Sequence, residues 1–102
     1  MIKILCNEKI FSISGHANFA KKGCDIICSA ISAIVFGALN AFENIGNIEI
    51  KKNNILIQLM KKISLEDKIR FEMMIAQIKN VADNYPKNVD LKIKLKKKLN
   101  NI

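Results

Sequence analysis

The stretch IICSAISAIVFGALNAF, Ile26 to Phe42, is the longest in the chain without a charge, and two folds compete for it. As a membrane span it reaches only the lower limit of length, and Ser29, Ser32 and Asn40 would sit within hydrocarbon. As a buried helix it needs a start. Asp25 stands directly before it, where a carboxylate accepts from an orphan backbone N–H of the first turn. The spacing therefore predicts a helix capped by Asp25 and running to Glu43 or Asn44, with Gly46 just beyond it, and no membrane segment.

Outward from this helix the pattern changes period. On the N-terminal side, Ile2 to Cys6 and Ile10 to Ser14 are short β-branched runs separated by Asn7, Glu8 and Lys9, which predicts a hairpin. Gly15 and His16 follow, and Ala17 to Gly23 has no period and reads as a loop. On the C-terminal side, Ile48 and Ile50 alternate with Glu49 and Lys51. Asn53-Asn54 interrupts, and Ile55, Ile57 and Leu59 alternate again as a second hairpin. Ser64, followed by Leu65, Glu66 and Asp67, opens a second helix whose apolar stripe is Phe71, Met74, Ile75, Ile78, Ala82 and Tyr85. Pro86 stops it. Val89, Leu91, Ile93 and Leu95 then alternate with Asp90, Lys92, Lys94 and Lys96, a last strand with one basic face.

The order is ββαββαβ, an α+β fold in which a small mixed or antiparallel sheet packs with two helices. At 102 residues the chain is one domain, residues 1–102. Its first helix is apolar nearly all round: Ile27, Ile31, Ile34, Val35, Ala38 and Phe42 cannot all face one sheet. A second copy of the chain is the expected cover, which predicts a homodimer.

Composition narrows the setting. Half of the residues are apolar and a quarter are charged, as in an ordinary soluble domain. Met1 to Asn7 reads as a strand containing a lysine, not as a secretory leader, so a cytoplasmic location is expected. Cys6, Cys24 and Cys28 are odd in number and irregularly spaced, which argues for thiols in a reducing compartment. One histidine and no cysteine pair at a two-residue spacing leave no zinc set; neither a metal nor another cofactor is expected.

The net charge of +8 belongs wholly to the second half: residues 1–50 carry four lysines and four acids, residues 51–102 thirteen basic residues and five acids. Such asymmetry favours a polyanion or an acidic surface as neighbour. The few aromatics do not interleave with the lysines, so base stacking has little support. Two non-enzymatic alternatives stay open, a dimeric, basic nucleic-acid-binding module whose last strand touches phosphate and a structural dimer without activity.

Chemistry concentrates in SGHANFAKKGCDIIC, Ser14 to Cys28, which holds the single histidine and two of the three cysteines. With Asp25 as N-cap, Cys28 is the third residue of the helix, where orphan N–H groups and the dipole favour a negative sulfur. A cysteine thiol titrates near 8.5, and a helix N-terminus with an imidazolium lowers that by about one to several units. His16 leaves the end of a strand, and the loop back to Cys28 is long enough to bring imidazole to sulfur, with Gly15 and Gly23 supplying backbone freedom. N–H groups of the first turn could receive an oxyanion. The bland alternative is that a cysteine in an apolar helix is a small core residue. Cys6, in phase with Ile2 and Ile4, reads as core, and Ser14, Ser29 and Ser32 read as structural.

The same residues resemble a known motif. Gly15-His16-Ala17, then Gly23, then Asp25-Ile26-Ile27-Cys28 continuing as Ser29 to Ser32 is similar to the pattern of the Prp family, the ribosomal-processing cysteine proteases. That pattern is a Gly-His-Ala, a glycine-bearing loop, and Asp-Ile-Val-Cys opening a helix rich in alanine and serine. Outside residues 14–36 the likeness lies in element order, length and the Tyr85-Pro86 stop. Ser29 stands where alanine is usual, and Cys24 adds a second thiol beside the motif.

The resemblance implies a small homodimeric cysteine protease that removes the N-terminal extension of a large-subunit ribosomal protein, bacterial L27, cutting after an aromatic residue and before a small one. It makes Cys28 the nucleophile and His16 the general base and then acid, with Gly15, Gly23 and Asp25 in support. It makes Ala17, Asn18, Phe19, Ala20, Lys21, Lys22 and Cys24 a substrate loop that orders over the peptide. An apolar groove for the substrate is expected, lined by Phe19, Ile27 or Ile31.

Overall fold

Asn7 closes the first hairpin. Its Oδ1 accepts from the backbone N–H groups of Lys9 (2.8 Å) and Ile10 (2.9 Å), a side-chain mimic of a backbone turn. It joins β1 (Ile2–Asn7) to β2 (Ile10–Gly15). The computed structural model describes residues 1–15 and 25–94. It continues with α1 (Ile26–Ala41), β3 (Gly46–Lys51), β4 (Asn54–Leu59), α2 (Leu65–Asn84) and β5 (Val89–Lys94). This is the α+β order ββαββαβ expected from the sequence. Leu95 and Lys96 of the expected last strand lie outside the described residues.

The five strands form one mixed sheet in the order β3-β4-β2-β1-β5. β1 and β5 are parallel and every other neighbouring pair is antiparallel. The register aligns apolar side chains in rows across the sheet. Ile50, Ile55, Ile13, Ile4 and Leu91 form one row, and Ile48, Ile57, Phe11, Cys6 and Ile93 the next. Side chains one residue out of phase face the other way, as in the row Glu49, Leu56, Ser12, Leu5 and Lys92. Only one face is apolar enough to need a cover, and the fold has two layers.

Both helices supply that cover. Ile27, Ile31 and Val35 of α1 are buried against the same core as Phe71, Met74, Ile75, Ile78 and Ala82 of α2. The ring of Phe71 meets Phe11 edge-on at 5.8 Å and lies 6.4 Å from Phe42. The residues of α1 that the sheet cannot reach, Ile34, Ala38 and Phe42, pack against this core beside α2. The surplus apolar surface that suggested a second copy is thus partly met within the chain.

α1 ends at Ala41, short of the expected Glu43 or Asn44, because a distant carboxylate competes for the backbone there. Asp67, in the first turn of α2, is fully buried. It accepts from the N–H groups of Glu43 (3.0 Å) and Asn44 (2.8 Å) and from Arg70 Nη1 (2.8 Å). Its own N–H donates to Ser64 Oγ, the N-cap of α2, at 3.1 Å. One aspartate therefore fixes the end of the first helix to the start of the second. β3 then begins at Gly46 with φ +146°, where a Cβ would run into the carbonyl oxygen of Gln58. At its far end α2 stops at Asn84, ahead of Tyr85 and Pro86. No described helix is long and apolar enough to cross a membrane.

Burial alone would raise the Asp67 carboxyl. The N–H groups of Asn44 and Glu43 and the Arg70 guanidinium outweigh it and hold the group below the usual carboxylate range. A folded-state value below the unfolded one adds stability above the unfolded value, and that contribution disappears as pH falls through the folded one. Asp67→Ala is expected to destabilise the fold by on the order of 2–3 kcal/mol at pH 7, with a smaller penalty in acid, as measured by urea denaturation at both pH values.

Candidate active site

Asp25 caps α1 with a single oxygen. Its Oδ1 accepts from the backbone N–H groups of Ile27 and Cys28, each at 3.0 Å. Its carbonyl oxygen accepts from Ser29 N–H and from Ser29 Oγ, each at 3.1 Å. Asp25 is itself buried, so the start of the helix is fixed from inside the fold. Cys28 stands in this first turn, half-buried. The same geometry corrects one expectation: the N–H groups of Ile27 and Cys28 are engaged by Asp25 and are not open to an oxyanion.

The side chain of Cys28 lines a cleft of about 260 Å3 at one end of the sheet. Ile2, Ile13, Ile55 and Ile50, one from each of four adjacent strands, belong to its sheet side. Cys28, Ile31, Ser32 and Phe36 belong to its α1 side, and the β3–β4 turn, Lys51 to Asn54, closes the rim. Gly15 lines this cleft too, at the end of β2. Its N–H donates to the carbonyl of Asn53 (3.3 Å), and its φ of +88° and the approach of the Met1 carbonyl leave no room for a Cβ. His16 is the next residue in the sequence.

His16, Ala17, Asn18, Phe19, Ala20, Lys21, Lys22, Gly23 and Cys24 lie outside the described residues. Of the three residues expected to line a groove, Ile31 does so. Ile27 instead lies in the core at 1% exposure, because it points to the sheet one residue before Cys28. Ser32 and Phe36 were absent from the expected lining, although their spacing from Cys28, one and two helical turns, puts them on its face. The β3–β4 turn carried no such signal, since its place beside Cys28 depends on strand order.

Cys6 shows what the fold does to a thiol elsewhere. It is fully buried in the second apolar row, and burial pushes it up to about 11, so it stays protonated and inert at neutral pH. Cys28, in contrast, meets an open cleft at the positive end of a helix. A thiolate there can attack a carbonyl carbon presented in the cleft.

Comparison with known proteins agrees with this geometry. The sequence pattern of the family described as cysteine protease Prp matches residues 1–90. The chain belongs to the Prp family of cysteine proteases. The ribosomal processing cysteine protease Prp of Mycoplasma genitalium is 35% identical over 92 residues, covering 87% of this chain and 92% of its own. Its counterpart in Mycoplasma pneumoniae is 37% identical over 89 residues, covering 84% and 88%. The crystal structure of the essential ribosomal processing protease Prp from S. aureus, in complex with a covalently linked product peptide, shares the fold. It superposes with a TM-score of 0.85 at 22% identity, over 92% of this chain and 100% of that one.

The two described thiols should separate chemically. With iodoacetamide at neutral pH, Cys28 is expected to alkylate in the native protein while Cys6 reacts only after denaturation, as read by peptide mass mapping. Labelling of Cys6 at the rate of Cys28 would contradict the burial described here.

Proposed function

We propose that this Prp-family protease removes the N-terminal extension of a large-subunit ribosomal protein, bacterial L27, cutting after an aromatic residue through a Cys28–His16 pair. The observation that carries the reading is that Cys28 and Gly15, the residue before His16, line one cleft. The names of the Mycoplasma relatives, ribosomal processing proteases, supply the substrate class.

In this mechanism His16 takes the proton of the Cys28 thiol and the sulfur attacks the scissile carbonyl carbon. The tetrahedral adduct collapses to a thioester as the imidazolium protonates the leaving amine. Water, deprotonated by the neutral imidazole, then attacks the thioester, and the acid product leaves with the thiol restored. The loop from Ala17 to Cys24 closes over the peptide. Gly15 turns the chain at the end of β2, and Asp25 sets the orientation of Cys28.

Catalysis takes place in the cytoplasm, in keeping with thiols that need a reducing compartment. The enzyme works as a homodimer. Support comes from the side of the helical layer away from Cys28, where Ala33, Gly37 and Ala41 of α1 and Ile69 and Met73 of α2 flank an open apolar groove.

A synthetic peptide bearing the extension and the first residues of the mature ribosomal protein tests the chemistry. Wild type is expected to cut it once, Cys28→Ala not at all, and His16→Ala about 10²–10⁴-fold more slowly. Equal cleavage by all three proteins would refute the pair. For assembly, Met73→Asp is expected to shift the sedimenting species from dimer to monomer; a wild type that already sediments as a monomer would refute the dimer.

A further inference from the structure

The end of the sheet away from Cys28 collects lysines from a strand, a turn, a connection and a helix. Their path can be followed residue by residue. Lys92 and Lys94 stand two apart on β5, and the register sets Lys94 beside Asn7 at the end of β1. Lys9 follows in the turn that Asn7 closes, and its carbonyl accepts from the N–H of Leu59, at the end of β4 (2.8 Å). Lys61 and Lys62 come next, in the connection to α2. Lys68 lies in the first turn of that helix, its N–H donating to the carbonyl of the Ser64 cap (2.9 Å).

All six lysines are exposed, and none takes part in an ion pair among the described residues. The acids at this end do not balance them. Glu43 and Asp67 are engaged by Arg70 at 3.4 and 2.8 Å, and Glu8 and Glu66 are the other two among the described residues. Lys96, Lys97 and Lys98 follow shortly after Lys94 in the sequence.

The shape of this band favours a chain over a plane as its partner. Lys92 belongs to the row that faces away from the helices, whereas Lys68 belongs to the helical layer. The band therefore wraps the end of the sheet, crossing from β5 through β1 and β2 to β4 over about 14 Å. A flat bilayer would meet one side of it, but a flexible run of phosphates can follow it round. Lys92 and Lys94 are about 7 Å apart, near the separation of successive phosphates in an extended strand. With no aromatic residue in the band, contact is with the backbone and carries no base preference.

We propose that this band holds the phosphate backbone of RNA, so that the protease rests by one end on a ribonucleoprotein while the Cys28 cleft stays open to a peptide. The two sites lie a strand length apart, about 20 Å. The choice of RNA among polyanions rests on the ribosomal substrate proposed above, which has RNA for a neighbour; the band itself requires no catalysis.

A fluorescein-labelled single-stranded RNA of about 20 nucleotides, titrated with the full chain and read by anisotropy, tests this. With four phosphates neutralised, affinity is expected to fall about 50-fold between about 50 and 200 mM salt. The variant carrying Lys9→Gln, Lys62→Gln and Lys94→Gln should bind at least about tenfold more weakly at the lower salt, and its slope of log affinity on log salt should flatten by about 2. The charge-matched variant carrying Lys51→Gln, Lys52→Gln and Lys87→Gln alters the Cys28 end instead. It should stay within about two- to threefold of wild type, since these charges lie beyond a screening length from the band. The first variant should also cut the extension peptide at the wild-type rate.

Equal losses in the two variants, or an affinity that ignores salt, would overturn the proposal. Anionic phospholipid vesicles or polyglutamate held as tightly as RNA at the same salt would overturn it too, because either would name a different partner. RNA binding that follows the band in a protein that cuts no peptide would leave the band standing and refute the peptidase reading. Cleavage without RNA binding would do the reverse.

Discussion

One carboxylate oxygen sets the register of the first helix, and the site depends on it. Asp25 Oδ1 holds the N–H groups of Ile27 and Cys28 together, which fixes where the helical phase begins. From that point the phase decides every neighbour. Ile27 and Val35 fall on the sheet, Cys28, Ser32 and Phe36 fall on the cleft, and Ile31 lies between, buried in the core and at the cleft wall. A helix started one residue earlier or later would rotate by about 100° and exchange the sulfur for a core side chain. The cap also has an electrostatic cost. It places a buried carboxylate at the start of the helix and engages two of the backbone donors that would otherwise favour an anion there.

At the other end of α1, Asp67 performs a comparable task over a long range. It collects the N–H groups of Glu43 and Asn44 together with the Arg70 guanidinium, so the turn into β3 leaves at one defined place. β3 forms one wall of the cleft, and its position follows from this turn and from Gly46, whose approach to Gln58 admits no side chain. The two aspartates bracket the helix. Together they hold Cys28 at one end and position the strand that faces it from the other.

Local signals made much of this legible in the sequence. Asn7 at the first turn, Asp25 and Ser64 as caps, Pro86 as a stop and the alternation of β4 each act within a few residues, and each element appears where such signals predict it. The end of α1 was misplaced because Asp67, 24 residues from Glu43, takes the N–H groups that would have continued the helix, and nothing near Glu43 announces it. Strand order was hidden for the same reason: β5 pairs in parallel with β1 across nearly the whole chain, a contact that no local pattern encodes. That order brings Lys51 to Asn54 round to face Cys28, so half of the cleft was invisible where Cys28 itself was legible. The apolar surplus of α1 was legible as a need for cover, but α2 supplies part of what seemed to require a second copy.

The sheet ends at β5, which has β1 as its one neighbour among the described strands. Among the described residues its outer margin has no strand partner, and such a margin is a template on which strands of other molecules can add and grow into aggregates. Lys92 and Lys94 alternate along this margin and are exposed, and the approach of a second such strand would bring like charges together. The surplus of positive charge in the second half of the chain thus has a use independent of any ligand: it keeps an open edge from recruiting its own kind at the concentrations of a crowded cell.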